Sequence, residues 1–513
     1  MSWGNGYVTD IEYSEGFYPD QAPTHLALAA TFNGYEPPPM DGHFVYCELG
    51  CGQGRTSLVL AALHPDAEFH AVDFNPAHIA HARQQARQAG LRNMTFHELS
   101  FDELTSPRCA TLPLFDMVTM HGVWTWIAPA LQDAILAFLN ARLNPGGLVY
   151  VSYNALPGWS QVAPLQRLVK ELAAATPQRS DLAVARAIEQ IERFADAKII
   201  SPRFQDGVER LKDSRHKLLP YLAHEYLNQH WQPMYFVDVA RAFAGAKLNF
   251  AACSDLLKNF YNLSLTEAQH QMLADVASPE LRETLKDFCT DHWFRQDVFL
   301  RGARRMSARR RDELLAGRSL TLLRPAPEVF EIGKADGSRW RPDPEVYGAI
   351  VTALERGPQH VSDLLAMDTL PRGHLVGPVE LVGTLVGTGL AGIYQESEPA
   401  IQAAADQLNG LQEVDDDRAL SQGAVIAVPA LRTGMTLSPA NYALYRTLKR
   451  GGVPDTDELS AQFIQRCEER GAHPVIDGKE IEDMREAKAA VAHDYSAKIE
   501  RLVPLWRNAG LFS

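Results

Sequence analysis

The chain has no apolar run long enough for a bilayer. Its longest charge-free apolar stretch, about Met117 to Leu131, is interrupted by His121 and Pro129. It falls short of the ~18–20 residues a membrane helix needs. The first residues, Met1-Ser2-Trp3-Gly4-Asn5-Gly6, show neither a basic segment nor an apolar core, so no secretory signal is expected. Cysteine is scarce: six in 513 residues (47, 51, 109, 253, 289, 467), with Cys47-x-x-x-Cys51 the only close pair. That excludes a disulfide framework and a zinc spacing, and it fits a reducing cytoplasm. Basic residues are in deficit, 49 against 63 acidic, for a net charge of −14. Such a surface repels polyphosphate, so nucleic acid is not the expected partner. No strict internal repeat and no low-complexity segment is visible.

What is present is globular. With 46% hydrophobic residues the chain can offset its ordering entropy, and its length exceeds one core, implying two to four domains. A Tyr- and Pro-rich stretch, residues 7–39, holds a short helix between His25 and Phe32. Alternating βα units follow. Strands are expected at Phe44–Leu49, Glu68–Val72, Met94–Leu99, Phe115–Met120 and Leu148–Tyr153. Helices are expected at Thr56–Leu63, from Asn75-Pro76 to Gly90, and around Pro129–Leu143 before an Asn144-Pro145-Gly146-Gly147 turn. That alternation predicts an α/β fold, a Rossmann-like parallel sheet with helices on both faces. Helical periodicity over about 160–235 marks an insertion. Leu248–Cys253 and Asp297–Leu300 read as the sixth and seventh strands. Beyond residue 305, helices beginning near Val346, Val361 and Val376 precede an apolar, hairpin-like Leu390–Tyr394, the order of a winged helix. The expected domains are therefore 1–305, a winged-helix-like 306–400, and a second α-rich module over 401–513.

Chemistry concentrates where the first strand ends, at Glu48-Leu49-Gly50-Cys51-Gly52-Gln53-Gly54. Glycines remove Cβ atoms where backbone must turn sharply and lie against a ligand, and the next helix presents its N–H groups. A dinucleotide site wants Gly-x-Gly-x-x-Gly. Here Gly52-x-Gly54 is followed by Ser57 at the third position, which argues against NAD. Asp73 ends the second strand, 19 residues after Gly54, where it can accept both hydroxyls of a ribose. Phe74 can lie against an adenine, and Ser100-Phe101 follow the neighbouring strand.

Glu48 to Gly54 followed by Ala71-Val72-Asp73 resembles the class I S-adenosylmethionine-dependent methyltransferases. Four more stretches are similar to bacterial methyltransferases carrying a methyltransferase regulatory domain. They are Phe17-Tyr18-Pro19-Asp20-Gln21-Ala22-Pro23, His121-Gly122-Val123-Trp124-Thr125-Trp126, Val151 to Trp159, and Ala223-His224-Glu225-Tyr226-Leu227-Asn228. That group includes the rickettsial lysine methyltransferases acting on outer-membrane proteins. The likeness covers residues 1–305 well and the last third loosely, with a regulatory-domain-like segment at about 215–300. It implies a seven-stranded sheet. It also implies that Glu48, Gly50, Cys51 and Gly52 cradle the amino-acid end of S-adenosylmethionine, and that Asp73 binds the ribose. Phe74, Ser100 and Phe101 would surround the adenine, His121 would approach the methionine, and Tyr13 and Gln21 would close over the site. The fourth strand lacks the Asn-Pro-Pro-Tyr of amino-methylating DNA enzymes, which disfavours a base amine as acceptor.

Methyl transfer needs the acceptor held in line, water kept out, and a lone pair presented. Trp124, Trp126, Tyr153 and Trp159 follow the fourth and fifth strands, where aromatic faces can hold a cationic lysine. They serve equally well as packing for the insertion. Asn154, polar at a strand end, is the stronger site candidate. His224 and Glu225 resemble part of a metal pair, but no second histidine follows at ligand spacing, so a helix-bridging role and no metal are expected. Six arginines between Arg301 and Arg311, followed by Asp312 and Glu313, form either a solvated helix face or a grip for an acidic partner. The expected reaction is methylation of a protein side chain, the lysine amine foremost, with release of S-adenosylhomocysteine. A small-molecule hydroxyl or amine acceptor and a non-catalytic S-adenosylmethionine-binding scaffold remain as alternatives. Nucleic-acid binding through the winged helix is opposed by the net charge and by Asp415-Asp416-Asp417.

Overall fold

A computed structural model of the chain describes residues 6–11, 15–40, 42–176, 178–214, 219–334, 336–411, 416–476, 479–481 and 483–512. Its centre is a seven-stranded sheet of β1 (Val45–Leu49), β2 (Glu68–Asp73), β3 (Met94–Glu98), β4 (Phe115–Met120), β5 (Leu143–Asn154), β6 (Leu248–Cys253) and β7 (Phe294–Arg301). The order is β3-β2-β1-β4-β5-β7-β6, and β7 runs antiparallel to both neighbours. All five residues of β1 are buried because helices cover both faces of the sheet there. From β1 the chain winds outward through β2 to β3, then returns to place β4 on the other side of β1. The loops after β1 and β4 therefore diverge and leave a crevice at the carboxyl ends of the strands.

The helices of this layer are α1 (Pro23–Phe32), α2 (Arg55–Leu63), α3 (Pro76–Gln88) and α4 (Pro129–Arg142). The Asn75 side chain caps α3 by accepting from the Ala77 N–H, and Pro76 starts the helix at the position that needs no N–H donor. Strand β5 starts earlier than the sequence suggests. Leu143 pairs with Phe115, the register shifts before Leu148, and the Asn144 amide donates to Asp116, so the Asn-Pro-Gly-Gly segment is taken up in an irregular strand.

The insertion is four helices: α5 (Ala163–Ala174), α6 (Ser180–Asp196), α7 (Gln205–Asp213) and α8 (Leu219–Leu227). Val169, Val184, Ile188, Ile191, Leu211 and Leu222 form its own apolar cluster. Next, α9 (Phe236–Gly245) leads into β6, and α10 (Tyr261–Ser264), α11 (Glu267–Ala274) and α12 (Pro279–Thr290) lead into β7. Part of the Arg301–Arg311 run is paired with carboxylates of the chain. Arg304 pairs with Glu36, Arg309 with Glu313 and Arg311 with Asp312, while Arg301 donates to the Leu143 carbonyl and Arg305 lies over Tyr35.

Beyond the sheet come α13 (Ala308–Ala316), β8 (Ser319–Leu322), the short pair β9 (Ile332–Gly333) and β10 (Arg339–Trp340), and α14 (Pro344–Glu355). Then follow β11 (Gln359–His360), α15 (Val361–Leu365), α16 (Pro378–Gly387) and β12 (Ala391–Tyr394). The helix order matches the expectation, but the hairpin does not form. Strand β12 has no return strand, because Pro399 already opens the next helix, and it pairs with β8 from upstream of the helices. The last part holds α17 (Pro399–Gly410), α18 (Asp416–Gln422), the hairpin β13 (Ala424–Val428) and β14 (Thr433–Leu437), and α19 (Pro439–Lys449). It ends with α20 (Thr456–Glu469), the pair β15 (Val475–Ile476) and β16 (Lys479–Glu480), α21 (Met484–Arg501) and α22 (Val503–Asn508). Ile401, Ala405 and Leu408 of α17 pack on Leu58, Val59 and Leu63 of α2, so this part buttresses the helix that follows the glycine loop. No helix among the described residues is long and apolar enough to cross a membrane.

Candidate active site

At the crevice, β1 gives way to Gly50, Cys51, Gly52, Gln53 and Gly54 before α2 begins at Arg55. Gly50 and Gly52 both have left-handed backbone, φ 74° and 54°. A Cβ on Gly50 would stand 2.6 Å from Val123 Cγ2, so at this one point on the floor of the crevice a side chain would force a shift. Over Gly52 the space is open, which leaves its backbone bare to a ligand. Asp73 at the end of β2 fixes this loop. Its Oδ2 accepts from the Gly52 N–H at 2.9 Å and its Oδ1 from the Asn75 N–H at 2.9 Å.

The cavity above is lined by Glu48, Gly50, Cys51, Gly52, Asp73, Phe74, Ser100, Phe101 and His121, together with Tyr7, Tyr18 and Trp126. Glu48 is buried and held by two donors, Gln21 Nε2 at 3.0 Å and the Ser57 hydroxyl. Gln21 is itself buried and outside the lining, so it acts on the cavity through Glu48. Burial pushes the Glu48 carboxyl up to about 7, against the pull of these hydrogen bonds. Ser100 is fixed by a capping box: its N–H donates to Glu103 at 3.0 Å. His121 stacks on Tyr18 with ring centres 3.7 Å apart, and its Nδ1 is 2.9 Å from the Tyr150 hydroxyl. Burial lowers its pKa to about 4, so the ring is neutral at physiological pH.

The N-terminal stretch is strapped across the glycine loop. The Tyr18 N–H donates to Thr56, and Glu15 bridges Arg55 at 2.9 Å and Arg418 of α18 at 3.2 Å. Tyr7 sits edge-on to Phe74 and near Trp126 and His224, with ring centres 5.7, 6.4 and 5.1 Å away. Tyr7 and Tyr18 escaped the sequence reading. The signals were the density of tyrosine and proline over residues 7–39 and, for Tyr18, its place in the Phe17–Pro23 stretch that resembles the family, neither of which says which ring reaches the site. Tyr13 lies outside the described residues.

The aromatic candidates after β4 and β5 separate. Trp126 alone among them lines the cavity. Tyr153 is corrected by the pleat of β5: Tyr150 packs on one side, while Val149, Val151 and Tyr153 share the cluster on the other. Its hydroxyl donates to Asp297 Oδ2 at 2.6 Å inside a buried ion cluster around Arg295. Trp124 is buried against Phe243, and Trp159 packs on Trp231 and Trp293 in the core of the insertion. These three residues pack; they do not face the cavity. Asn154 is also outside the lining. Its Nδ2 donates to Glu225 Oε1 at 2.8 Å, and Trp231 Nε1 donates to the same oxygen at 3.1 Å. Glu225 thus ties α8 to the end of β5. Among the described residues no group of three or more His, Cys, Asp or Glu side chains is placed to hold a metal.

Comparison with known proteins agrees with this geometry. Residues 41–212 match the family model described as a methyltransferase domain, and residues 219–301 match the predicted methyltransferase regulatory domain. The uncharacterized protein sll1526 of Synechocystis sp. is 30% identical over 495 residues, covering 94% of each chain. The uncharacterized protein RP789 of Rickettsia prowazekii is 25% identical over 310 residues, 57% of this chain and 53% of that one. Among solved structures, PKMT2 from Rickettsia typhi in complex with AdoHcy shares the fold, with a TM-score of 0.66 at 19% identity over 97% of this chain and 99% of that one. The glycine loop, the acidic strand end and the reversed strand order are joined here to a regulatory domain, and the chain belongs to the S-adenosylmethionine-dependent methyltransferases that carry one.

Proposed function

We propose that the enzyme methylates the side-chain amine of a protein lysine. The observation that carries this reading is the aromatic wall of Tyr7, Tyr18 and Trp126 on a cavity where burial keeps His121 neutral. Aromatic faces attract an alkylammonium group, and a neutral histidine does not repel one. The full-length likeness in fold to PKMT2 and the resemblance of residues 1–305 to the rickettsial lysine methyltransferases support the same reading.

The methyl donor supplies a sulfonium-activated methyl group whose C–S bonding pair stays on sulfur. The protein's part is to bind, orient and exclude water. In this reading Glu48 receives the donor's α-ammonium, with Gln21 and Ser57 fixing the carboxylate, while the bare backbone of Gly50 to Gly52 lies along the amino-acid portion. Cys51 packs beside it. Asp73 receives the ribose hydroxyls, and Phe74, Ser100 and Phe101 surround the base. His121, wedged between Tyr18 and Tyr150, walls the donor end. Residues 1–305 form the catalytic unit, the insertion with the 215–300 segment forms the acceptor side, and the modules over 306–400 and 401–513 steady α2 and the strap.

Glu48 makes donor binding pH-dependent. Its carboxyl is half protonated near pH 7 in the free protein, and an ammonium ligand favours the charged form. Affinity is therefore expected to rise as pH increases from 6 to 8, with proton release on binding below pH 7. Calorimetry in buffers of different ionisation enthalpy measures that release, and Glu48→Gln is expected to abolish it.

The acceptor class is tested by supplying methyl-labelled S-adenosylmethionine to a lysate of the native host. Label recovered with protein supports the proposal. Label confined to small molecules supports a metabolite methyltransferase, and label in nucleic acid contradicts both.

A further inference from the structure

A chain of hydrogen bonds behind the cavity decides which nitrogen of His121 carries the proton. It starts at Asp20, whose carboxylate only accepts. Oδ2 receives the Gln296 Nε2 group at 2.8 Å and Oδ1 the Ser254 hydroxyl at 3.2 Å. Asp20 therefore holds the Gln296 amide with its NH2 turned inward. The same nitrogen reaches the Tyr150 hydroxyl at 3.3 Å, where again it can only donate. Ser152 lowers the Tyr150 pKa, as a hydroxyl donating to that oxygen does. Tyr150 in turn gives its own proton to His121 Nδ1, 2.9 Å away. Burial keeps this imidazole neutral, so its single proton sits on Nε2. Tyr18 stacked at 3.7 Å and Phe294 edge-on at 5.8 Å hold the ring in place. His121 lines the cavity, and its Nε2 has no hydrogen-bond partner among the described residues, yet it is not sealed in the interior.

Resting on the donor placement proposed above, we propose that the Nε2–H of His121 anchors the α-carboxylate of the methyl donor, with Tyr150, Gln296 and Asp20 as positioning residues that hold the donating tautomer. A carboxylate needs such a group here. Glu48 and Asp73 in the same lining repel it. Arg55, the one lysine or arginine among the described lining residues, is already paired with Glu15. Strands β1 and β4 pair through Glu48 and Thr119, so Glu48 and His121 stand at adjacent strand ends. One then takes the α-ammonium and the other the α-carboxylate of the same amino-acid portion. A neutral donor does this without repelling the sulfonium or the acceptor's ammonium. The same tautomer excludes His121 as the base that takes the acceptor's proton, because Nε2 already holds a proton and Nδ1 is occupied by Tyr150.

The experiment compares wild type, His121→Phe and Tyr150→Phe. Phenylalanine at 121 keeps a ring against Tyr18 without nitrogens, and at 150 it removes the hydroxyl alone. Calorimetry measures binding of AdoHcy and of its decarboxylated analogue, and nitrogen NMR of the histidine side chains reads the tautomer. In wild type the His121 signal should show Nε2 protonated, and AdoHcy should bind about 10–100-fold more tightly than the analogue, the worth of a hydrogen bond to a carboxylate. His121→Phe should lose most of that preference by binding AdoHcy more weakly while holding the analogue as wild type does. Tyr150→Phe should move part of the His121 proton to Nδ1 and narrow the preference. A merely structural role weakens both ligands equally, and that result in His121→Phe would overturn the proposal. So would a wild-type proton on Nδ1, or equal binding of the two ligands by wild type. If His121→Phe does not fold, the wild-type tautomer and the preference of Tyr150→Phe decide: Nδ1 protonated, or a preference unchanged by the substitution, overturns the role. Wild type that binds neither ligand would overturn the donor placement and this role with it.

Discussion

Asp73→Ala is expected to weaken AdoHcy binding by about 10²–10⁴-fold and to stop methyl transfer. In the proposed role of Asp73 two ribose hydroxyls would lose a charged acceptor, at roughly 1.5–3 kcal/mol each, a sum of about 3–6 kcal/mol. The loop is loosened as well, because the same carboxylate holds the Gly52 and Asn75 N–H groups at 2.9 Å each. Folding should suffer far less, by about 1–2 kcal/mol, since neither Gly52 nor Asn75 is fully buried. Asp73→Asn separates the two effects. It retains one side-chain oxygen for the loop but offers the hydroxyls no charge, so its affinity should lie between wild type and alanine. Calorimetry with AdoHcy and thermal unfolding without ligand measure the two quantities independently. A fully bound, inactive Asp73→Ala would contradict the ribose assignment.

The second large effect is on stability, away from the cavity. Arg295 of β7 is 1% exposed and lies among Asp287 at 2.6 Å, Asp297 at 2.8 Å and Glu283 at 3.2 Å. Its guanidinium also covers the Phe236 ring. Arg295→Ala removes the cation that three buried carboxylates share, leaving Glu283 with Lys286, Asp287 with His292 and Asp297 with the Tyr153 hydroxyl, and removing one partner of a buried ion pair costs about 3–5 kcal/mol. A cooperative loss of that size should appear in denaturant unfolding and lower expression at 37 °C. The acid side should move with it. Burial opposes ionisation of Glu283, but Lys286 and Arg295 outweigh it and hold the carboxyl at about 2. Its stabilisation is therefore present above its unfolded value of about 4.3 and lost as pH falls through 2. Without Arg295 the loss should begin at higher pH. Asp297 also receives the Tyr153 hydroxyl, so the cluster ties β7 to β5, the strand that carries Asn154.

Local signals explain which parts were legible in the sequence. Glu48 to Gly54 and Asp73 are readable because the turn, the bare backbone and the acidic strand end are each set by residues within a few positions. The βα alternation fixes the sheet for the same reason. Tyr153 was misplaced because its side of the pleated strand is set by a packing partner that the local sequence does not show, and Asn154 on the opposite side is taken up by Glu225 and also stays outside the cavity lining. The partner, Asp297, is 144 residues away. Tyr7 and Tyr18 gain their settings from contacts across 38 to more than 200 positions, none of which leaves a period or a spacing. The missing wing after β12 has a similar cause: Leu390–Tyr394 looks like half a hairpin, and its partner β8 stands on the far side of three helices in the chain.

The central claim is that the accepted methyl group ends on a lysine amine. The most direct measurement is acid hydrolysis of the host protein labelled by the wild-type enzyme, followed by chromatography of the methylated amino acids, with Asp73→Ala as the inactive control. Label that co-elutes with methylated lysine and is missing from the control is the predicted result. Label in another methylated amino acid, or label lost on mild base as from an ester, would contradict it.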